Sequence, residues 1–359
     1  MTYRARLAAA AIAATAVAIT VTGTVAALSI YQRQPAHSAP RDGLPLASSA
    51  ASPHQPIRPA TLRYVGVFER GAPKTYQPVR QFATVAGRKP NITVYYSAWG
   101  EPFRARFVTA AAQAGAVVLV HLEPRHQSMA SIAAGQWDGY LHRFAAQVRR
   151  YGGQVILSFA PEPDGRWYPW GWHHTPAAEW IAAWRHVVTL FRDSGATNVT
   201  WLWDMSGVSN ATGPVRDWWP GDEYVDWAGV DGYYFTRKDQ YRNVIGKTVS
   251  DIREFASKPI MLSEVGIGPR AGKVAKMPGL FAGLRRDHLL GLIWFDVSQH
   301  RGLYHQDWRL EGHPAAVAAF QAGIATMPRR SPAVPTRRPG SARRRPGSAR
   351  RRPGAATSR

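Results

Sequence analysis

Carboxylate and aromatic side chains recur in this sequence at the ends of short apolar runs. Seven runs carry them: Trp99 and Glu101, His121 and Glu123, Glu162 and Asp164, Asp204, Asp231 with Tyr233, Glu264, and Trp294 with Asp296. A protonated carboxyl can donate to a glycosidic oxygen while an ionised carboxylate attacks the anomeric carbon or activates water there. Aromatic rings bind the apolar faces of pyranose rings. The composition therefore indicates chemistry on sugars.

Two glutamates are the strongest candidates for that chemistry. Glu162 follows the apolar run "QVILSFA", and Glu264 ends the apolar part of "KPIMLSEVGIG". The alternative is that each glutamate forms an ion pair with a nearby arginine, such as Arg166 or Arg270, and has no catalytic role. Spacing alone does not separate the two readings, because apolar strands often end in glutamate.

Eight apolar runs predict β-strands, and amphipathic segments between them predict helices. The strands are predicted at 62–68, 91–97, 116–122, 154–160, 198–204, 226–231, 259–264 and 290–296, and two helices at 137–151 and 177–194. Such an alternation predicts a parallel sheet, and eight strands suit a single (β/α)8 TIM-type barrel of the α/β class. An open doubly wound sheet is the alternative, although no Gly-rich phosphate loop follows the first strand. Strands four and seven face each other across such a barrel, so Glu162 and Glu264 would reach one cleft.

Charge and cysteine content exclude several classes of protein. Half of the net charge of +22 comes from residues 329–359, which contain eleven arginines and no acidic residue, and residues 62–328 carry only about +7. No basic stretch lies on a recognisable nucleic-acid-binding motif, so a nucleic-acid partner is not expected. The absence of cysteine excludes disulfides, thiolate catalysis and cysteine-based zinc sites.

The two ends of the chain differ from its centre. Residues 7–30 form an uncharged stretch after Arg4 and Arg6, which predicts either a membrane anchor or a cleaved signal peptide within 1–30. Residues 31–60 are rich in Pro, Ala and Ser and predict a flexible linker. Residues 329–359 repeat a seven-residue Arg/Pro/Gly unit and predict a disordered tail, or one that adheres to an anionic envelope surface. We therefore expect an extracytoplasmic protein, either membrane-anchored or secreted.

The central region resembles glycoside hydrolase family 26, the retaining endo-β-mannanases and endo-β-glucanases. The segment "IAAGQWDGYLHRFAAQVRRYGGQVILSFAPEPDGRWYPWG" resembles that family's run into its acid/base strand, and "WWPGDEYVDWAGVDGYYF", "KPIMLSEVGIG" and "IWFDVSQHRGLYHQDWRL" resemble later blocks in the same order. "AWGEPF" and "HLEP" resemble the second and third strand ends. The resemblance implies a catalytic barrel over 61–328 that requires no cofactor or metal.

The resemblance also implies roles for individual residues. Glu162 would be the general acid/base and Glu264 the nucleophile of a double displacement, with the Tyr233 hydroxyl hydrogen-bonded to the nucleophile. Trp294 would be the platform under the sugar at the cleavage point, and the neighbouring subsites would contain Trp167, Trp170 and Trp99. We expect His121 to be a subsite or packing residue rather than a metal ligand.

The acid/base segment departs from the family pattern. The family usually has His-Glu-Met-Asn-Gly there, whereas this chain has Pro161, Glu162, Pro163, Asp164 and Gly165. Pro161 removes a polar neighbour of the sugar and cannot donate a backbone hydrogen bond. Asp164 adds a carboxylate near Glu162, which we expect to raise the pKa of the acid.

These observations predict a monomeric retaining endo-β-glycosidase acting on a β-linked polysaccharide. The polymer would be β-1,4-mannan or β-glucan, or an exopolysaccharide of the cell that makes the protein. Two alternatives stay open. One is a carbohydrate-binding barrel without hydrolytic activity, and the other is an envelope adhesion protein that acts through its basic tail.

Overall fold

The computed structural model describes residues 54–299 and 306–328. The predicted signal or anchor segment, most of the linker and the Arg-rich tail lie outside these residues. Within the described ranges, no helix is long and apolar enough to cross a membrane.

Eight parallel strands close into a barrel. They are β1 (Tyr64–Phe68), β2 (Ile92–Ala98), β3 (Val117–Glu123), β4 (Val155–Phe159), β5 (Val199–Ser206), β6 (Trp227–Tyr234), β7 (Ile260–Ile267) and β8 (Gly291–Phe295). Each strand pairs with the next along the chain, and β8 pairs with β1 from Tyr64 opposite Gly291 to Phe68 opposite Phe295. This closure confirms the (β/α)8 barrel and excludes the open sheet.

Helices surround the barrel. They are α1 (Gln77–Ala86), α2 (Ala105–Gln113), α3 (Met129–Ala133), α4 (Asp138–Tyr151), α5 (Ala177–Asp193), α6 (Lys247–Arg253), α7 (Lys273–Arg286) and α8 (Pro314–Ala325), with one π-helical turn at Arg242–Gly246. The apolar face predicted for α4 is confirmed, because Tyr140, Phe144, Ala145 and Val148 are all buried. This helix ends where Gly152 adopts the left-handed conformation.

The interior of the barrel is apolar at its amino-terminal end. Side chains such as Val94, Leu119 and Ile156 form one buried cluster there, and the segment before β1 adds Ile57 to it. The Ile57 amide donates to Thr200 Oγ1 over 2.8 Å, which fixes this segment against β5. Because this end is filled, a cleft can form only at the carboxyl ends of the strands, where barrel enzymes carry their sites.

Candidate active site

Glu264 lies between two tyrosine hydroxyls. The Tyr233 hydroxyl donates to Glu264 Oε2, and the Tyr96 hydroxyl donates to Oε1. The carboxylate is only 8% exposed, and burial raises the pKa of Glu264 to about 7, although both phenol hydrogen bonds act to lower it. These two donors stabilise the ionised form and fix both carboxylate oxygens in one orientation.

A bulge in β7 directs this side chain. Between Met261 and Glu264, β7 contains one residue more than the paired stretch of β6 from Gly229 to Asp231. The pairing of β7 with β8 is irregular over the same stretch. Bulges bend a strand and re-aim a side chain, and they are common beside active sites. Glu264 therefore lies inside β7, followed by three further strand residues, and does not end the strand as predicted.

Glu162 lies three residues beyond β4, on a loop held by neighbouring elements. Its amide donates to the Asp204 carbonyl oxygen over 2.9 Å, and Trp167 Nε1 donates to Glu162 Oε2 over 2.9 Å. Burial raises the pKa of Glu162 well above its usual range, and the charges of Glu264 and Asp204 raise it further. The site thus holds one carboxyl whose pKa is raised by burial and by neighbouring charges, beside one whose anion receives two hydrogen bonds.

No ion pair with an arginine accounts for these glutamates. Within the described part of the chain, neither Arg166 nor Arg270 forms a salt bridge with Glu162 or Glu264. Glu264 instead has phenol partners, and Glu162 has an indole partner. The alternative that these two glutamates form ion pairs with nearby arginines is therefore wrong.

Trp167 and Trp99 lie at the mouth of the barrel. Both rings are half-buried, and Trp167 contacts Glu162 directly. Trp99 follows β2, and its ring packs 4.9 Å from Tyr140 and 6.0 Å from Phe159, centroid to centroid. Each ring is thus held by neighbours while part of it stays accessible.

The placement expected for Trp294 is wrong. This side chain is fully buried, and its ring lies 5.3 Å from Phe320 of α8, in the layer between barrel and helices. Side chains alternate along a strand, so the next residue, Phe295, points to the opposite face. Phe295 lies 5.5 Å from Tyr233 and 5.1 Å from Phe68. The aromatic ring that β8 contributes beside Tyr233, the hydrogen-bond partner of Glu264, is therefore Phe295.

Trp170 also differs from its expected place. The ring is 1% exposed and stacks on Tyr168 at 4.2 Å, and Nε1 donates to the Pro161 carbonyl oxygen over 2.8 Å. Neither face of the indole is free for a sugar. Trp170 is part of the core of the β4 loop, because a loop with so many tryptophans needs some of them for its own packing.

His121 lies inside the barrel beneath Glu264. It is fully buried and stacks on Tyr96 with an interplanar angle of 18°. Its Nε2 lies 3.9 Å from Glu264 Oε1, and its Nδ1 lies 3.8 Å from Asp204 Oδ2. Burial lowers the pKa of His121 to about 3, so the ring is neutral. Its contacts are those of a packing residue that supports Tyr96.

Asp164 connects the β4 loop to β5. Its Oδ1 accepts a 3.0 Å hydrogen bond from the Ser206 amide, and its carbonyl oxygen accepts from the amides of Asn210 and Ala211. The side chain is fully buried, and burial raises the pKa of Asp164 to about 6. Its charge raises the pKa of Glu162, as expected, but burial, Glu264 and Asp204 all contribute more.

Two residues of the site, Tyr96 and Arg125, did not emerge from the sequence. Tyr96 lies on β2, on the face that lines the barrel. The sequence feature that could have indicated it is its position two residues before the strand ends. Glu123 and Arg125 form a 2.7 Å ion pair, and the Arg125 guanidinium lies 5.5 Å above the Tyr168 ring. The site therefore contains a second tyrosine, Tyr96, and the buried Glu123 carboxylate, whose ion-pair partner is Arg125.

Known proteins resemble this chain in sequence. The family model described as Glycosyl hydrolase family 26 matches residues 127–266. Endoglucanase H of Acetivibrio thermocellus is 26% identical over 272 residues, which cover 71% of this chain and 29% of that protein. Beta-1,3-xylanase TXYA of Vibrio sp. is 29% identical over 136 residues, which cover 37% of this chain and 28% of that protein. The chain thus spans less than a third of the length of these curated relatives.

Solved structures share the fold. The Cellulomonas fimi endo-beta-1,4-mannanase double mutant superposes with a TM-score of 0.59 at 16% identity, covering 73% of this chain and 70% of that one. A GH26 beta-mannanase from Bacteroides ovatus superposes with a TM-score of 0.54 at 14% identity, covering 73% and 88%. The segment matched by the family model runs from the loop after β3 into β7 and includes Glu162 and Glu264. Residues 127–266 thus resemble glycoside hydrolase family 26, and the barrel has the fold of the solved mannanases.

Proposed function

We propose that this barrel is a retaining endo-β-glycosidase that hydrolyses a β-linked polysaccharide by double displacement. The observation that carries the proposal is the contrast between the two glutamates. Glu162 is buried beside other carboxylates, which raises its pKa, whereas Glu264 accepts hydrogen bonds from two phenols. An acid and a nucleophile with pKa values pushed apart are what this reaction requires.

In the first step, Glu162 transfers its proton to the glycosidic oxygen while a Glu264 oxygen attacks the anomeric carbon. The bond from that carbon to the leaving oxygen breaks, and an ester forms between the sugar and Glu264. Tyr96 and Tyr233 hold the attacking carboxylate in place. The Trp167 indole donates to Glu162 Oε2, which leaves the other oxygen of this carboxyl to carry the proton.

In the second step, Glu162 acts as a base. Its carboxylate removes a proton from water, and the water oxygen attacks the anomeric carbon of the ester. Glu264 leaves as a carboxylate, and Glu162 is protonated again for the next cycle. The two displacements together retain the configuration at the anomeric carbon.

The substrate is a polymer of β-linked sugars, either a β-1,4-mannan or a β-glucan. The relatives are an endoglucanase, two β-1,3-xylanases and a mannan endo-1,4-β-mannosidase. The names of the xylanases and of the mannosidase state a β-linkage, and the sugar differs among the names. Half-buried rings at the mouth of the barrel, Trp99 and Trp167, are suited to stacking on pyranose rings.

Reducing-sugar release by the full chain from a panel of β-mannans and β-glucans tests this proposal. The Glu264→Ala variant is the blank. We expect release from at least one polymer and a loss of at least 1,000-fold in the variant. Release that persists in the variant, or tight binding of a polymer without release, would contradict the proposal.

We also propose that the protein acts outside the cytoplasm, where such polymers occur. The uncharged stretch at 7–30 behind two arginines supports this location. Fractionation of the producing cells should find the protein in the membrane or the medium. Recovery from the cytoplasmic fraction alone would exclude it.

A further inference from the structure

In the turn that carries Glu162, residues 160–162, two residues have a backbone conformation that is rare for their types. Ala160 has φ 46° and Glu162 has φ 50°, on either side of Pro161. This is the left-handed region, which residues with a Cβ rarely occupy. Such conformations persist only where the surrounding structure over-determines them, and they concentrate at functional sites. The turn that presents Glu162 therefore needs contacts that hold it.

Hydrogen bonds to β3, to β5, from α5 and from a later residue of the same loop hold this turn. The Ala160 amide donates to the Leu122 carbonyl oxygen of β3, and the Glu162 amide donates to the Asp204 carbonyl oxygen of β5. The two carbonyl oxygens between these amides are bound by indoles. Trp180 Nε1 on α5 donates to the Ala160 oxygen over 3.1 Å, and Trp170 Nε1 donates to the Pro161 oxygen over 2.8 Å.

The two indoles are themselves rigidly packed. Trp180 is fully buried and stacks on Trp184 at 5.2 Å, and Trp170 stacks on Tyr168. Pro161 has no amide hydrogen, so the turn cannot be held from that residue by a backbone donor. The indole donors act on the carbonyls instead, and their rings have little freedom to move.

We propose that Trp170 and Trp180 are positioning residues for the acid/base: together they hold the strained Ala160–Glu162 turn so that the Glu162 carboxyl reaches the glycosidic oxygen. The inference rests on the proposed function, because it needs a proton transfer for Glu162 to perform. Misplacing a general acid by a fraction of an ångström lowers kcat without weakening binding.

The test replaces each indole by a ring without the donor, in the full chain. The variants are Trp170→Phe and Trp180→Phe. Trp184→Phe is the matched control, because it keeps an aromatic ring against Trp180 and removes only an indole donor that is directed away from the turn. Trp184 is as buried as Trp180, lies on the same helix and donates to the Tyr224 carbonyl oxygen. Each protein is assayed on the polymer that the wild type cleaves and on an aryl β-glycoside of the same sugar with a 2,4-dinitrophenolate leaving group, with and without azide.

We expect both test variants to lose ten- to a hundredfold in kcat on the polymer, with KM within about threefold of wild type. The activated glycoside needs no proton for its first step, and azide needs no base for the second, so activity on it with azide should return to near the wild-type rate. Trp184→Phe should stay within threefold of wild type on both substrates.

Equal losses on both substrates would show a general structural role and overturn the inference, as would test variants that match Trp184→Phe. The variants Trp170→His and Trp180→His keep a ring N–H. If one phenylalanine variant does not fold, the inference requires that these histidine variants cleave the polymer faster than the phenylalanine variant that does fold. A wild type that cleaves no polymer would overturn the proposed function itself. An active wild type whose test variants behave like the control would overturn only the positioning role of the two indoles.

Discussion

At the scale of single residues, the environment of Glu264 determines what it can do. A carboxylate this deeply buried would be protonated without donors, and the phenols of Tyr96 and Tyr233 oppose that tendency. The sequence indicated Tyr233 through a family resemblance but offered no comparable signal for Tyr96. The contact of Tyr96 with Glu264 depends on how β2 and β7 are placed around the barrel, which no local pattern encodes.

Removing either phenol should weaken the nucleophile. In Tyr96→Phe and Tyr233→Phe, we expect kcat to fall about ten- to a hundredfold. Each hydrogen bond lowers the pKa of Glu264, so its loss should raise that pKa and move the acidic limb of the kcat/KM profile to higher pH. A pH–rate profile of each variant measures both effects.

Tyr234→Phe is the matched control for this pair. It lies next to Tyr233 on β6 and points away from Glu264, and its hydroxyl has no hydrogen-bond partner within the described residues. This variant should keep the wild-type profile. An unchanged acidic limb in both test variants would show that the phenols do not control the ionisation of Glu264.

The two aromatic residues at the end of β8 should respond oppositely to substitution. Phe295→Ala removes a ring beside Tyr233, and we expect kcat/KM of the folded variant to fall at least tenfold. Trp294→Phe alters the packing against α8 and removes the Nε1 hydrogen bonds to Asp296 Oδ1 and the Trp308 carbonyl oxygen. We expect kcat/KM to stay within threefold while the free energy of unfolding falls by about 1–3 kcal/mol. Kinetics and urea denaturation of both variants decide the assignment, and the reverse result would restore Trp294 as the sugar platform.

At the scale of elements, local pattern was a reliable guide to the strands and a poor guide to side-chain direction. Every predicted strand is present with its start within two residues, because apolar runs of this length must be buried. Three predicted ends fall two or three residues short, because β5, β6 and β7 continue past the carboxylates Asp204, Asp231 and Glu264. The bulge in β7 and the outward direction of Trp294 depend on pairing with neighbouring strands, which the sequence does not show.

One glycine of β6 is required by its neighbours. A Cβ at Gly229 would lie 2.4 Å from Asp204 Oδ1 and 2.6 Å from Ser263 Oγ, where these two side chains are hydrogen-bonded. We expect Gly229→Ala to lower the free energy of unfolding by about 1–3 kcal/mol. Gly279→Ala in α7 is the control. Apart from its chain neighbours and the backbone of its own helix, no atom lies within 4 Å of a Cβ at this position, so alanine should stabilise the helix by about 0.5–1 kcal/mol. Urea denaturation that ranks both variants equally would contradict the packing described for β6.

At the scale of the whole molecule, the buried carboxylates of the site lower the stability of the folded state. Asp164, Asp204, Asp231 and Glu162 are all buried with raised pKa values, so the folded protein binds protons that the unfolded chain releases. For each of them, the stability present below the unfolded pKa is lost as pH rises through the folded pKa. His121 acts in the opposite direction at lower pH, because its buried ring is neutral and must stay so.

Asp164 allows this linkage to be measured at one residue. Its pKa rises from 3.8 to about 6, so it should weaken folding progressively between about pH 4 and 6, by an amount on the order of 3 kcal/mol. Asp164→Asn keeps an oxygen for the Ser206 amide but does not titrate. The free energy of unfolding of wild type minus variant should therefore decrease from pH 4 to pH 7, as urea denaturation at several pH values would show. A difference that is independent of pH would contradict a raised pKa at Asp164.

The stereochemistry of hydrolysis tests the central claim most directly. Proton NMR can follow the first minutes of digestion of a polymer that the protein cleaves. It reports the anomer of the new reducing end before that end mutarotates. Double displacement through Glu264, with Glu162 as acid and then base, predicts the β-anomer as the first product. An initial α-anomer would mean a single displacement by water, and the roles assigned to both glutamates would be wrong.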